Sequence, residues 1–272
     1  MADAVVTRAA AGDVPALRAL WVSAFGDPPE LIDAFFARFP PETSAWVVRR
    51  GPVICSAAYL LTGNHLVQGQ RVRPAAYVYA VASPETERGK GYAGRLMRRF
   101  VTLADEQGLL LYTRPAEPSL FAWYAACMEA VHVGRGHEET VARCEDSPLL
   151  AFSEADAAQY GQLREAQLAD RPHLAFSEAF LSLQAVYCRA CGAGLYAIGS
   201  GCCAAETAEN TLILKELLVP EAERAAAVQT LLQHFRLSAA SVRGQGAGGA
   251  LPLTAFRAET SLDGINWGLF LD

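Results

Sequence analysis

The residues best equipped for chemistry lie together in Arg88-Gly89-Lys90-Gly91-Tyr92-Ala93-Gly94. The N–H groups that open a helix have no partner inside it. The helix dipole places partial positive charge at the same end. A phosphate group fits such a mouth. Gly89 and Gly91 allow the backbone to approach a ligand with no Cβ in the way, and Arg88 and Lys90 add positive charge. The segment therefore reads as a cradle in which the N–H groups of Gly89 to Gly94 hold a phosphorylated cofactor.

The flanking elements must position that loop. Tyr77 to Ala82 is an apolar run rich in aromatic and β-branched residues, the composition of a buried strand. Ser83 to Glu87 is a polar turn. Beyond the glycines, Leu96, Phe100 and Leu103 recur at helical spacing, with Met97 and Ala104 beside them, and Arg98 and Arg99 fall on the solvated side. The order is strand, glycine loop, helix. Gly89-x-Gly91-x-x-Gly94 also has dinucleotide-fingerprint spacing, which would imply a dehydrogenase, but there the glycines come directly off the strand. A Walker loop is excluded because no Gly-Lys-Ser/Thr is present.

Ala4 to Arg8 reads as a strand, and helices follow after Asp13 and over Leu31 to Phe39. Ala45 to Val48 and Val53 to Leu61 read as neighbouring strands, with a turn or loop beginning at Gly63-Asn64. Leu109 to Tyr112 is a buried strand and Ser119 to Val131 a helix. Val131 to Cys144 reads as two short strands around Gly134-Arg135-Gly136.

Arg88-x-x-Gly91-x-Ala93 resembles the Q/R-x-x-G-x-G/A signature of the GCN5-related N-acetyltransferases, the GNAT family. The run from Tyr77 to Tyr124, with Leu120-Phe121-Ala122-Trp123-Tyr124 one strand and one turn after the cradle, is similar to a bacterial subgroup of that family. Met128-Glu129 departs from the Gly-aromatic pair usual there. The resemblance implies a mixed α/β fold with a mostly antiparallel sheet flanked by helices. It implies acetyl-CoA as co-substrate, its diphosphate on Gly89 to Gly94 and its pantetheine and thioester beside Val81, Ala82 and Ser83. Arg88, Lys90, Tyr92, Ala93 and Ser119 complete the expected cofactor-binding set.

The implied activity moves acetyl to a primary amine of a small molecule or peptide by direct attack on the thioester. Tyr124 would be the general acid: a phenol is protonated at neutral pH and can give its proton to a thiolate. Its plainer reading is an aromatic that packs a helix face with its hydroxyl satisfied. The base is open between His132, His137, a water chain and, as in Eis-like members, the C-terminal carboxylate, here Asp272. The alternative function is a CoA-binding or regulatory protein without catalysis.

The expected domains are residues 1–146, catalytic, and 147–272, with polar stretches over 145–175. In the second half, Ser177 to Tyr187 and Pro220 to Phe235 read as helices. Gly194 to Gly199, Thr211 to Val219 and Trp267 to Leu271 read as strands, and Gly244 to Gly249 as a loop. Pro220-Glu221-Ala222-Glu223-Arg224 echoes Pro84-Glu85-Thr86-Glu87-Arg88, but Ala225-Ala226-Ala227 replaces Gly89-Lys90-Gly91. Alanine extends a helix and opens no cradle. The second half therefore reads as a degenerate GNAT-like domain, an architecture similar to the Eis-like acetyltransferases.

With 52% apolar residues the 272-residue chain can bury a sizeable core. A net charge of −6 argues against a nucleic-acid partner and suits a cationic acceptor. No apolar run approaches the ~20 residues of a membrane span, and no signal peptide is read. The seven scattered cysteines read as free thiols of a cytoplasmic protein. Cys188-x-x-Cys191 has zinc-ligand spacing, but adjacent Cys202-Cys203 suits a tetrahedral site poorly, so no metal is expected. Oligomeric state is open, a homo-oligomer included.

Overall fold

The computed structural model describes residues 3–128, 132–245, 251–257, 262 and 264–271. The chain forms two compact units. The first comprises Met1–Leu66, Val72–Val133 and Leu253–Leu262; the second comprises Val67–Arg71, Gly134–Pro252 and Asp263–Asp272.

The first unit begins with β1 (Val5–Arg8), α1 (Val14–Phe25), α2 (Pro29–Arg38), the single turn α3 (Pro41–Ser44) and β2 (Ala45–Arg50). Then come β3 (Val53–Gln68), β4 (Arg71–Ala82), α4 (Tyr92–Gln107), β5 (Leu110–Thr113) and α5 (Pro118–Cys127). The strand order is β1-β2-β3-β4-β5, with β1, β2 and β3 antiparallel to their neighbours and β4 parallel to β5.

Alternation along the strands sorts the side chains to two faces. Ala58, Leu60, Ala76 and Val78 pack with Leu96, Met97, Phe100 and Tyr124 in one core. On the intervening positions, Tyr59 and Tyr79 meet Trp21 of α1 edge-on, and Tyr77 stacks on Tyr112 at 4.9 Å. The helix α4 buries the expected stripe of Leu96, Phe100 and Leu103.

The second unit contains β6 (His132–Ala142), β7 (Phe152–Glu154), α6 (Ala157–Leu168), β8 (His173–Ala175), α7 (Glu178–Ala190), β9 (Gly194–Ile198) and β10 (Gly201–Ala208). It continues with β11 (Thr211–Leu218), α8 (Glu221–Phe235) and β12 (Ala239–Gln245). The last strand of the chain, β13 (Leu251–Arg257), pairs antiparallel with β5 over Ala255–Arg257. In this unit the order is β7-β9-β10-β11-β12-β6, antiparallel except for the parallel pair β11/β12. Apart from α3 in the first unit and β8 in the second, the succession strand, two helices, three antiparallel strands, helix, parallel strand thus occurs twice. Pro84–Arg88 lies between β4 and α4, which crosses to the parallel strand β5, whereas Pro220–Arg224 follows β11 and opens α8, which crosses to the parallel strand β12.

Five local expectations change. β3 runs through Gly63-Asn64, and the hairpin turn comes at Gly69-Gln70, because Asn64 is buried and donates to the Tyr112 hydroxyl at 2.8 Å. The two strands expected around Gly134-Arg135-Gly136 are one strand, registered against β12 from Gly136 to Ala142. Gly244 belongs to β12 and no loop; it lies opposite His137, whose ring a Cβ would strike. The polar segment over 145–175, for which no element was expected, contains α6, capped by Asp156 and buried through Tyr160, Arg164 and Leu168. Trp267–Leu271 is buried but irregular, since Gly268 turns the backbone to φ 64° over Arg164. β10, rich in cysteine and alanine, had no expected counterpart.

Candidate active site

The cradle is built where β4 and β5 part. Their parallel pairing covers Ala75–Tyr77 against Leu110–Tyr112, and the Thr113 hydroxyl then donates to the Val78 carbonyl at 2.8 Å. Two residues on, Ala80 has φ 46°, a left-handed conformation that an L-residue seldom adopts within a strand. The end of β4 is held from the other side. Ser56 Oγ donates to the Ala82 carbonyl and Ser83 Oγ to Ser56 Oγ, each at 3.0 Å.

A 3-10 turn at Glu85–Glu87 leads into the glycines. Gly89 (φ 76°) and Gly91 (φ 78°) are both left-handed, and a Cβ on either would meet nothing within 4 Å. Backbone conformation therefore calls for glycine at both, and the space outside them is open. Gly91 caps α4, and the first bond of the helix runs from Arg95 N to the Gly91 carbonyl at 3.2 Å. The N–H groups of Tyr92, Ala93 and Gly94 precede it and point out of the helix mouth.

These parts surround one cleft of about 510 Å³, lined by Val81, Ala82, Ser83, Arg88, Gly89, Gly91, Tyr92, Ala93, Gly94 and Tyr124 of the expected set. Glu87, Leu120 and Trp123 also line it. Two expected residues stay outside the lining. Lys90 Nζ lies 3.1 Å from Glu87 Oε2, and Glu87, itself buried, also pairs with Arg50 at 3.2 Å. Ser119 is exposed on the first turn of α5 and hydrogen-bonds Glu117 at 3.4 Å. Asp272 and Glu129 lie outside the described residues, as does the side chain of His132. His137 belongs to the second unit.

Tyr124 is buried on α5, with Trp123 edge-on at 4.8 Å. Burial pushes its phenol up to about 12; a hydrogen bond with Thr113 opposes the rise and the nearby Cys127 adds to it. The phenol is thus protonated at neutral pH. Burial also raises the Cys127 thiol, against the pull of Arg98. A thiolate released in the same surroundings is disfavoured in the same sense, which brings it toward the phenol in basicity. The Thr113 hydroxyl thus meets both the strand carbonyl of Val78 and the Tyr124 phenol. Sequence reading did not select Thr113, Trp123, Leu120 or Glu87; for the first three, the signal available was their place in or just before the Leu120–Tyr124 run.

The cradle suits a diphosphate-bearing ligand: a helix mouth, two left-handed glycines with open space outside them, and the Arg88 side chain. Arg88 Nε donates to the Ser83 carbonyl at 3.3 Å, which orients the guanidinium along the cleft wall. Among the described residues, no group of three or more His, Cys, Asp or Glu is placed to hold a metal ion. None of the described helices is long and apolar enough to cross a membrane.

The family model for an acetyltransferase (GNAT) domain matches residues 6–124. No curated protein has a significant match to the sequence. Among solved structures, the chain is similar to a GCN5-related N-acetyltransferase from Anabaena variabilis, at a TM-score of 0.72 and 13% identity over 94% of this chain and 72% of that one. It is also similar to a conserved protein of Enterococcus faecalis described as a probable N-acyltransferase, at 0.71 and 14% over 94% and 72%. Eis1 from Mycobacterium abscessus aligns at 0.62 and 13% over 94% and 73%. At these identities the likeness is one of fold. The match over residues 6–124 identifies an acetyltransferase (GNAT) domain in the first half of the chain, and the solved structures share the fold of the chain.

Proposed function

We propose that the protein transfers acetyl from acetyl-CoA to a primary amine of a small molecule or peptide, with the first unit as the catalytic one. The observation that carries this reading is the convergence of the open end of β4, the glycine-capped mouth of α4 and the protonated Tyr124 phenol on one cleft. The N–H groups of Gly89 to Gly94 bind the diphosphate and Arg88 adds charge to it. Val81 to Ser83 offer backbone groups to the pantetheine arm and the thioester carbonyl, where donors aimed at developing negative charge lower the barrier.

Acetyl-CoA supplies the activated acetyl group. A carbon–nitrogen bond forms to the acceptor amine as the carbon–sulfur bond breaks. The Tyr124 hydroxyl gives its proton to the departing sulfur, and the amine's surplus proton leaves to solvent or to a base, for which the Asp272 carboxylate is the candidate within this chain. Acetyl-CoA being an intracellular metabolite, this activity belongs in the cytoplasm.

The test is release of free thiol from acetyl-CoA with a panel of polyamines, aminoglycosides, amino acids and peptides. Tyr124→Phe keeps the ring and removes the proton. It should lower kcat about 100-fold or more while leaving acetyl-CoA affinity within about twofold. Full turnover in Tyr124→Phe removes Tyr124 from the mechanism, and absence of acetyl-CoA binding to the unaltered chain removes the reading as a whole.

A further inference from the structure

The second unit has a cleft of its own, about 330 Å³, at the place that corresponds to the cradle of the first: the end of β11 and the start of α8. Its chemistry differs. The helix begins at Glu221, immediately after Pro220, and places Glu221 and Glu223 in its first turn. Glu223 is turned away, to Ser200 N at 2.9 Å and Ser200 Oγ at 3.0 Å. Glu221 lines the cleft. A carboxylate, Glu221, therefore stands at the mouth of this helix, where α4 of the first unit begins at a glycine.

Three guanidinium side chains line the same space, those of Arg171 between α6 and β8, Arg224 of α8 and Arg243 of β12. Several charged groups on its wall are satisfied from within the protein, Glu216 and Lys215 among them. Glu216 takes both Nε and Nη2 of the fully buried Arg164, at 3.0 and 3.2 Å, and the Tyr160 hydroxyl at 2.6 Å. Lys215 Nζ is 2.8 Å from Glu206. The cleft thus carries three arginines against Glu139 and Glu221, with Glu139 3.8 Å from Arg224.

One further group lacks a partner among the described residues. The Asn266 backbone is fixed, donating to the Pro172 carbonyl and accepting from Leu174 N, each at 2.9 Å. Its side-chain Oδ1 is buried and has no hydrogen-bond partner among the described residues, although Asn266 lines the cleft. A buried acceptor without a donor is costly, and a ligand that brings an N–H or O–H removes that cost.

From this arrangement we infer that the second-unit cleft binds a small organic carboxylate that also carries a hydrogen-bond donor, of the amino-acid or hydroxy-acid class. The guanidiniums take the carboxylate in the forked geometry that suits it. Asn266 takes the donor, and Glu139 and Glu221 face an ammonium where one is present. The site is separate from the CoA cradle and does not depend on the acetyl-transfer reading.

Calorimetric titration of the full chain tests this with L-alanine, L-serine, L-glutamate and L-malate, against acetate, methylamine and inorganic phosphate. At least one of the first four should bind at least about tenfold more tightly than every control. Arg224→Gln should weaken that binding at least about tenfold, the loss expected for a charge-assisted contact. Asn266→Leu should weaken it as well. Arg171 is exposed, so Arg171→Gln leaves the fold intact and carries the test if the Asn266 variant misfolds. Tyr124→Phe and Gly91→Val should bind as the unaltered chain does. The inference is overturned if none of the four exceeds the controls, if phosphate binds best, or if both Arg224→Gln and Arg171→Gln bind normally. It is equally overturned if Tyr124→Phe or Gly91→Val abolishes binding, which would put the ligand in the first cleft.

Discussion

Two glycines at opposite ends of one helix offer a sharp test of the cradle. Gly91 caps the start of α4 at φ 78° and Gly108 its end at φ 65°, and a Cβ on either meets nothing within 4 Å. Alanine at each position therefore bears a conformational cost and no steric one. The left-handed region costs an L-residue about 1–2 kcal/mol, and the stiffer unfolded chain returns about 0.4–1 kcal/mol. Each variant should then lose roughly 0.5–1.5 kcal/mol, a shift in midpoint of a few degrees for a chain of this size. The two should differ in ligand affinity alone. At Gly91 the methyl group occupies space that a bound diphosphate requires and tilts the N–H groups behind it, so acetyl-CoA should bind at least about tenfold more weakly, the equivalent of 1.4 kcal/mol. At Gly108 the affinity should be unchanged. Differential scanning fluorimetry reads the first quantity and calorimetry with acetyl-CoA the second. Equal affinities in the two variants, with equal midpoints, would mean that the mouth of α4 holds no ligand.

Two further outcomes follow from groups described above. Since burial holds the Tyr124 phenol near 12, the acid form persists throughout the working range. kcat/KM should rise with pH as the acceptor amine loses its proton and show no fall through pH ~10, where an ordinary tyrosine titrates; a descending limb centred there would contradict the assignment. In the second unit, Gly268→Ala places a methyl group against the Arg164 guanidinium and 2.7 Å from the Phe176 ring, at a backbone φ of +64°. Disturbing a buried, bidentate ion pair in this way should cost about 3 kcal/mol or more, and a thermal midpoint that stays within experimental error of the unaltered chain would refute that account of the buried pair.

The parts of the site legible in the sequence are those in which local pattern and chemistry coincide. The apolar run of β4, the alternating glycines and the stripe of α4 are adjacent, and each is readable without a distant partner. What escaped notice depends on partners far along the chain. The helix α6 is hidden because the middle of its buried face is Arg164, whose carboxylate partner Glu216 lies 52 residues on. Thr113 ends an apolar run and reads as the polar edge of a strand until α5 delivers Tyr124 to it. Lys90 looks like a phosphate ligand by charge, but Glu87 three residues earlier draws it aside. Trp267 to Leu271 has the composition of a strand, and only the positive φ of Gly268 above Arg164 shows why it is none. The Pro-Glu-x-Glu-Arg echo was informative beyond its five residues, since the whole strand–helix–strand succession around it is repeated.

The position of Glu87 shapes how the first cleft would respond to its medium. With Arg50 and Lys90 both facing that buried carboxylate, the mobile cations nearest the glycines are largely occupied. The attraction left for a diphosphate comes from oriented peptide dipoles and one guanidinium. Dipoles locked in a backbone at contact distance are screened far less by dissolved ions than loosely held side-chain charges. The affinity for the proposed diphosphate ligand should therefore change little between dilute and concentrated salt.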